Sequence, residues 1–386
     1  MRKNKLSDRN PQHLWVKELL SSPARCIPVQ LMWMLLPSFA LNCIFGRMNP
    51  HEVNTVRALL SEPQQAVIIP HKNPDGDAIG SCLGLYHFLR KLGHDAKVVA
   101  PNDYPKFLKW MPGNDDVIIF DKQTELAQGL LDKAALVFTL DFNDLGRVGP
   151  HMETSLKQLK VPMVMIDHHQ APSDYAKVTY SDTGMSSTCE MVYRFIEAVG
   201  STEIIDADIA NCLYAGIVTD TGSFKFPSTS SDTHRIAADL IDKGAQNSDI
   251  HSNIFDTNTP ARLHLLGCAL KNMVIKAEVS TAYITLSQAE LDQYQYKKGD
   301  TEGFVNYGLT LEGIKFAVIF IENKEEGIIK ISFRSAGEFS VNDFARTYFN
   351  GGGHKNAAGG RSERSMEDTV AYFESLLEKH KKDLNP

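Results

Sequence analysis

The chain has 386 residues, 43% hydrophobic and 23% charged, with 40 Lys and Arg against 47 Asp and Glu for a formal net charge of −7. That length suits two domains with cores of their own, at about 100–200 residues each, and the composition is that of a soluble globular protein. The acidic balance opposes tight, sequence-blind binding of long nucleic acid, so a polyanionic substrate has to be met by local cations or metals.

Residues 1–47 differ from the rest. Arg2, Lys3, Lys5 and Arg9 precede a charge-free run over 26–46 that includes Met32, Trp33, Met34, Leu35 and Leu36. Pro28 and Pro37 break that run, Gln30 and Asn42 interrupt it, and its basic residues lie far upstream. The expectation is a flexible or non-native extension rather than a membrane anchor, with Met48 as the working start. The six cysteines, at 26, 43, 82, 189, 212 and 268, have no C-x-x-C spacing. They fit free thiols in a reducing, cytoplasmic setting and argue against a disulfide scaffold or a cysteine-ligated zinc.

From 49 the pattern is helix-compatible, and 66–70 reads as a buried strand followed by His71-Lys72-Asn73-Pro74-Asp75-Gly76-Asp77 and a helical stretch over 78–92. Further apolar runs at 96–100, 117–120, 135–140 and 161–166 predict an α/β domain, a mainly parallel sheet flanked by helices. Ligands of such sheets gather at the carboxyl ends of strands, so Asp75, Asp77, Asp141 and Asp167 are expected to converge. Helices are predicted at 186–199, 206–219 and 233–243, and the polar stretch 244–260 as a linker. Strand-like runs at 282–286, 314–321 and 327–333, with helices at 341–349 and 366–380, predict a second, smaller α/β domain. The expected division is 1–47 extension, 48–243 metal-binding domain, 244–260 linker and 261–386 substrate-binding domain, with a catalytic cleft between the two lobes.

Asp75 and Asp77 flank Gly76, which lets the backbone turn so that both carboxylates face one pocket. A solvated Asp-Gly turn is the plain alternative, but His71 crowds the same loop with no arginine beside it, and a bound cation is the simpler remedy. Asp141 ends an apolar strand, where an ordinary helix cap is the alternative. Asp167-His168-His169 is more specific, because adjacent imidazoles after an apolar strand need a ligand or a polar network. Asp220 ends another apolar segment, with a turn cap as its alternative. Carboxylate and imidazole together suit Mn²⁺. In the second domain, Gly351-Gly352-Gly353-His354 offers backbone amides to an anion, against a flexible turn. Arg334 offers a phosphate clamp, against a surface cation.

On these residues the chain resembles the DHH phosphoesterase superfamily, in its two-domain form with the DHH-associated C-terminal domain, over roughly residues 50–382. It is similar in layout to the nanoRNase and pAp-phosphatase group. The resemblance implies one divalent cation on His71, Asp75, Asp141 and Asp220 and a second on Asp77, Asp141, His168 and Asp220. The metal would be Mn²⁺ foremost, with Mg²⁺ or Co²⁺ as alternatives. Asp167 would orient a ligand and His169 would face the scissile phosphate, while Arg334, Gly351, Gly352, Gly353 and His354 would grip substrate. It further implies hydrolysis of short RNA oligonucleotides or of 3′-phosphoadenosine 5′-phosphate (pAp) by metal-activated water. Linear or cyclic dinucleotides are alternative substrates, and a nucleotide-binding sensor is the reading of another class. Long duplexes are not expected partners, and a homodimer is suggested by the resemblance alone.

Overall fold

The computed structural model describes residues 48–384, so the expectations for the N-terminal extension lie outside the described residues. In chain order the first domain comprises α1 (Pro50–Leu59), β1 (Gln65–Pro70), α2 (Gly76–Lys91), β2 (Asp95–Ala100), β3 (Ile118–Ile119), α3 (Thr124–Lys133), β4 (Leu136–Leu140), α4 (Pro150–Gln158), β5 (Met163–Asp167) and β6 (Val178–Ser181). α5 (Thr188–Val199), α6 (Ala207–Asp220) and α7 (Ser231–Asp242) follow.

Six parallel strands lie in the order β3-β2-β1-β4-β5-β6. β4 and β5 are buried at every position, which explains their unbroken apolar character: a central parallel strand is covered on both faces. Each fully buried Val, Leu, Ile or Phe there stabilises the sheet by about 1.5–3 kcal/mol. The order reverses between β1 and β4, and such a switch point opens a crevice at the strand ends. His71 follows β1 and Asp141 follows β4, one on each side of it.

α2 begins where Asp75 caps it, Oδ1 accepting the Ala78 amide at 3.0 Å. Gly80 and Gly84 then let α2 lie directly on α6: a Cβ at Gly80 would come 2.5 Å from the Cys212 carbonyl oxygen, and one at Gly84 2.5 Å from Leu213 Cδ2. This close crossing brings Asp77, in the first turn of α2, toward Asp220, the last residue of α6.

The stretch 244–260, expected as a linker, is not structureless: it contains α8 (Asn247–Phe255) and leads into α9 (Pro260–Lys271). Its polar residues are weak helix formers, but burial of Ile250 and the Gln246 amide donating to Asn211 Oδ1 at 2.9 Å hold the helix against α6. β7 (Val274–Lys276), β8 (Thr281–Leu286), α10 (Gln288–Gln293), β9 (Phe316–Asn323), β10 (Ile328–Ser335), α11 (Val341–Tyr348), β11 (Gly352–His354), β12 (Ala357–Ser362), α12 (Met366–Lys379) and α13 (Lys381–Leu384) complete the second domain. Its mixed sheet runs β11-β12-β10-β9-β8-β7. One face packs on Phe344 and Phe373, which meet Phe316 edge to face. The glycine run, for which a flexible turn was the alternative, enters the edge strand β11 of a hairpin with β12. Among the described residues no helix is long and apolar enough to cross a membrane, and Cys82, Cys189, Cys212 and Cys268 are free thiols.

Candidate metal centre and cleft

Asp141 sits immediately after β4 with φ +64°, a left-handed conformation that Asp tolerates better than most residues. It is 2% exposed, and its two oxygens face different histidines. Oδ2 lies 3.3 Å from His71 Nε2 and Oδ1 lies 3.6 Å from His168 Nε2. Around the first histidine, His71 Nε2 is also 3.8 Å from Asp75 Oδ2. Around the second, His168 Nε2 is 3.8 Å from Asp77 Oδ2 and 3.4 Å from Asp220 Oδ2.

Both rings are turned by backbone carbonyls. His71 Nδ1 donates to the Lys72 carbonyl at 2.9 Å and His168 Nδ1 to that of Met185 at 3.1 Å, leaving each Nε2 to the cluster. Asp77 faces the start of α5 from α2, and the amides of Thr188 and Cys189 donate to its carboxylate at 2.6 and 2.8 Å. The Thr188 hydroxyl donates to Asp141 Oδ1 at 3.0 Å. Glu190 anchors this turn by accepting from Ser186 and Thr233.

The electrostatics of the cluster are unsettled without a cation. Burial works against the His71 imidazolium, yet Asp141 and Asp75 outweigh it and push the ring up to about 10. The same contest, with Asp220, Asp141 and Asp77, carries His168 up to about 9. Burial and the repulsion of Asp141 and Asp220 push Asp77 well above the carboxylate range, and burial raises Asp220 to about 7. Asp141 resists burial because His71, His169 and His168 hold it low. Among the described residues no lysine or arginine pairs with these four carboxylates; their ion-pair partners are histidines. Divalent cations fit this set: the donors are oxygen and imidazole nitrogen, and within His71, Asp75 and Asp141, and again within Asp77, His168 and Asp220, they lie within 4.8 Å of one another.

Asp167, wholly buried, takes the His169 amide at 2.9 Å on one oxygen and His169 Nδ1 at 2.7 Å on the other. His354 arrives from the second domain, its ring stacked on His169 at 4.3 Å between centroids and 25° between planes. Burial, then His169 and His168, pull His354 down to about 3, so it is neutral. Gly351, Gly352 and Gly353 lead into it along β11; a Cβ on Gly351 would collide with the Gly359 carbonyl oxygen. Arg334, half-buried on β10, donates to the Phe333 carbonyl at 3.0 Å, and the charges of Glu302 and Asp220 act on it. Thus the six residues read as metal ligands come together, with His169 and His354 beside them. Residues that carried no sequence signal also enter the cleft: Thr188 and Cys189 through their amides, and Lys298, whose Nζ crosses from the second domain to Asn73 Oδ1 at 2.9 Å and the Asp103 carbonyl at 2.8 Å.

The DHH family N-terminal domain matches residues 65–217, and the DHHA1 domain matches residues 278–379. The chain is similar to the bifunctional oligoribonuclease and PAP phosphatase NrnA of Thermus thermophilus, at 31% identity over 82% of this chain and 89% of that protein. It is also similar to the protein of that name from Bacillus subtilis, at 28% identity over 80% and 94%. Among solved structures it resembles an exopolyphosphatase-related protein from Bacteroides fragilis, with a TM-score of 0.84 and 39% identity, covering 88% of this chain and 98% of that one.

Proposed function

The chain belongs to the DHH family and carries a DHHA1 domain, and from that premise we propose that it hydrolyses the phosphoester bonds of short RNA oligonucleotides, releasing mononucleotides, and of pAp, releasing AMP. The carrying observation is Asp141, whose oxygens divide between His71 and His168 as a carboxylate shared by two cations would. His71, Asp75, Asp141 and Asp220 would hold one ion, and Asp77, Asp141, His168 and Asp220 the other. Bound there, a pair of divalent cations, Mn²⁺ foremost, supplies Lewis acidity that offsets charge on the phosphate oxygens and eases deprotonation of the attacking water.

The chain's own groups do the rest. Asp167 holds His169 Nδ1–H, so His169 Nε2 faces the cleft to meet a scissile phosphate oxygen. Neutral His354 closes over it from β11 and excludes water, while Arg334 and the side-chain-free edge of the glycine run meet another part of the nucleotide; the Gly351 and Gly353 amides, expected to bind an anion, instead donate to the Ala345 carbonyl and to Asn342 Oδ1. The charge of −7 favours small substrates over long polymers.

The test is product release by the full chain with and without Mn²⁺ from a 5′-phosphorylated RNA dinucleotide, pAp and cyclic di-AMP side by side. Mononucleotide from the dinucleotide together with AMP from pAp is the expected result; preferential opening of the cyclic compound would replace this reading with cyclic-dinucleotide turnover, and no hydrolysis would favour a sensor. His168→Ala and Asp220→Ala are each expected to lower kcat/KM at least about 10³-fold, as loss of bound-ion electrostatics does, with circular dichroism unchanged. Full activity in either variant would remove the ligand assignment.

A further inference from the structure

Ahead of the glycine run, α11 carries a polar pair that the mechanism above does not use. Asn342 is 3% exposed. Its Oδ1 accepts the Gly353 amide at 2.9 Å and Arg346 Nε at 3.2 Å, and its Nδ2 donates across the cleft to Gln170 Oε1 at 3.4 Å. Arg346 is exposed and is held through one of its five N–H groups. Its terminal N–H groups meet no protein acceptor among the described residues. The guanidinium lies beside Gly352, where a Cβ would come 3.5 Å from Arg346 Nε.

An arginine in the last turn of a helix ordinarily serves the final carbonyls. Here Nε is turned back four residues to Asn342, toward β11 rather than the end of α11. Gly352 presents no side chain, so an anion can reach both the backbone and the open fork of the guanidinium. A planar fork with parallel N–H groups matches two oxygens of a phosphate, which a lysine cannot do. Arg334 differs, because one of its terminal nitrogens already serves the Phe333 carbonyl.

We propose that Arg346, aimed by Asn342, is a substrate-binding residue that grips a non-scissile phosphate of the nucleotide at the Gly352 edge. This rests on the nucleotide phosphoesterase reading of the cleft, and it makes a terminal phosphate a determinant of which short substrates are held. Gln170, the residue after His169, then links the gripping pair to the centre: Asn342 touches the first domain only when the lobes are together.

The experiment titrates the full chain calorimetrically with AMP and, as its phosphate-free counterpart, adenosine, for wild type, Arg346→Ala, Arg346→Lys and Asn342→Ala. Alongside, kcat/KM is measured for an RNA dinucleotide with and without a 5′-phosphate. The expected result is a wild-type preference for AMP that falls about tenfold or more in Arg346→Ala, with Arg346→Lys between them and a parallel fall in the dinucleotide ratio. Asn342→Ala is expected to lose preference although the arginine remains. A wild type that binds AMP no better than adenosine, or an Arg346→Ala variant that keeps the wild-type ratio, overturns the assignment; preference retained in Asn342→Ala overturns the aiming role. If wild type hydrolyses neither dinucleotide, the phosphoesterase reading fails while the AMP titration still judges Arg346.

Discussion

Asp167 gives both carboxylate oxygens to a single neighbour, the backbone and ring of His169. Asp167→Asn keeps the volume but puts an amide where one of two acceptors is needed, so the ring loses its fixed tautomer. A fall in kcat of about 10²–10⁴, the range of a positioned acid or base, is expected with KM changed far less and with a displaced pH profile; a fall confined to KM would reassign His169 to ground-state binding.

The cluster's protons have a stability consequence. In the metal-free protein Asp220 sits at about 7 against an ordinary 3.8, and His168 and His71 at about 9 and 10 against 6.5. All three bind protons more tightly folded than unfolded, so stability falls as pH rises. The Asp220 part goes between its two values; the histidine part is full below 6.5 and is lost as pH passes through 9 and 10. Melting temperature in chelator is expected to drop from pH 7 to pH 10, above the range in which His354, held down to about 3, works in the opposite sense, and Mn²⁺ to offset the drop because binding requires deprotonated ligands. A flat profile in chelator would show that the cluster does not hold these protons.

These side chains were legible because carboxylates and imidazoles cluster visibly in one dimension. The amides of Thr188 and Cys189 were not, since every residue has one, and Asn342 and Arg346 look like any polar helix positions until folding sets them beside β11.

Among the elements, the crossing of α2 on α6 does most to bring Asp77 and Asp220 together. A Cβ at Gly216 would run into Cys189 Sγ and stand 3.0 Å from Asp77 Oδ1. Gly216→Ala is therefore expected to cost about 1–3 kcal/mol of stability by overpacking and to raise the Mn²⁺ concentration for half-maximal activity. Unchanged metal dependence alongside lost stability would confine Gly216 to packing. Element types in the first domain were readable from the apolar runs, because β1, β4 and β5 are buried almost throughout. β6 was missed: it has four residues, half-buried at alternate positions, too short a run to stand out. β11 did not read as a strand because glycine has low strand propensity, yet its pairing with β12 requires the absence of a side chain at Gly353, where a Cβ would run into the Ala357 carbonyl oxygen. Strand order could not be read at all, being a property of pairings between distant segments.

At the scale of the whole molecule, the two lobes touch through few polar contacts among the described residues. Lys298 is the cationic one, reaching the loop between His71 and Asp75 through Asn73, which also pairs reciprocally with Asn102 at 2.7 and 2.9 Å. Its partners are neutral and the contact is exposed, so the tether is worth about 0–1 kcal/mol. Lys298→Ala is expected to favour the open arrangement, with a larger radius of gyration in small-angle scattering and a KM raised severalfold at similar kcat. An unchanged radius and KM would leave closure to the histidine stack and the Gln170–Asn342 contact.

That stack sets a further condition. Imidazoles 4.3 Å apart are in van der Waals contact, and no phosphate passes between them. The lobes must part to admit a nucleotide and part again to let the products go. The rate of that parting is therefore a ceiling on turnover, and improving the chemistry around Asp141 cannot lift it.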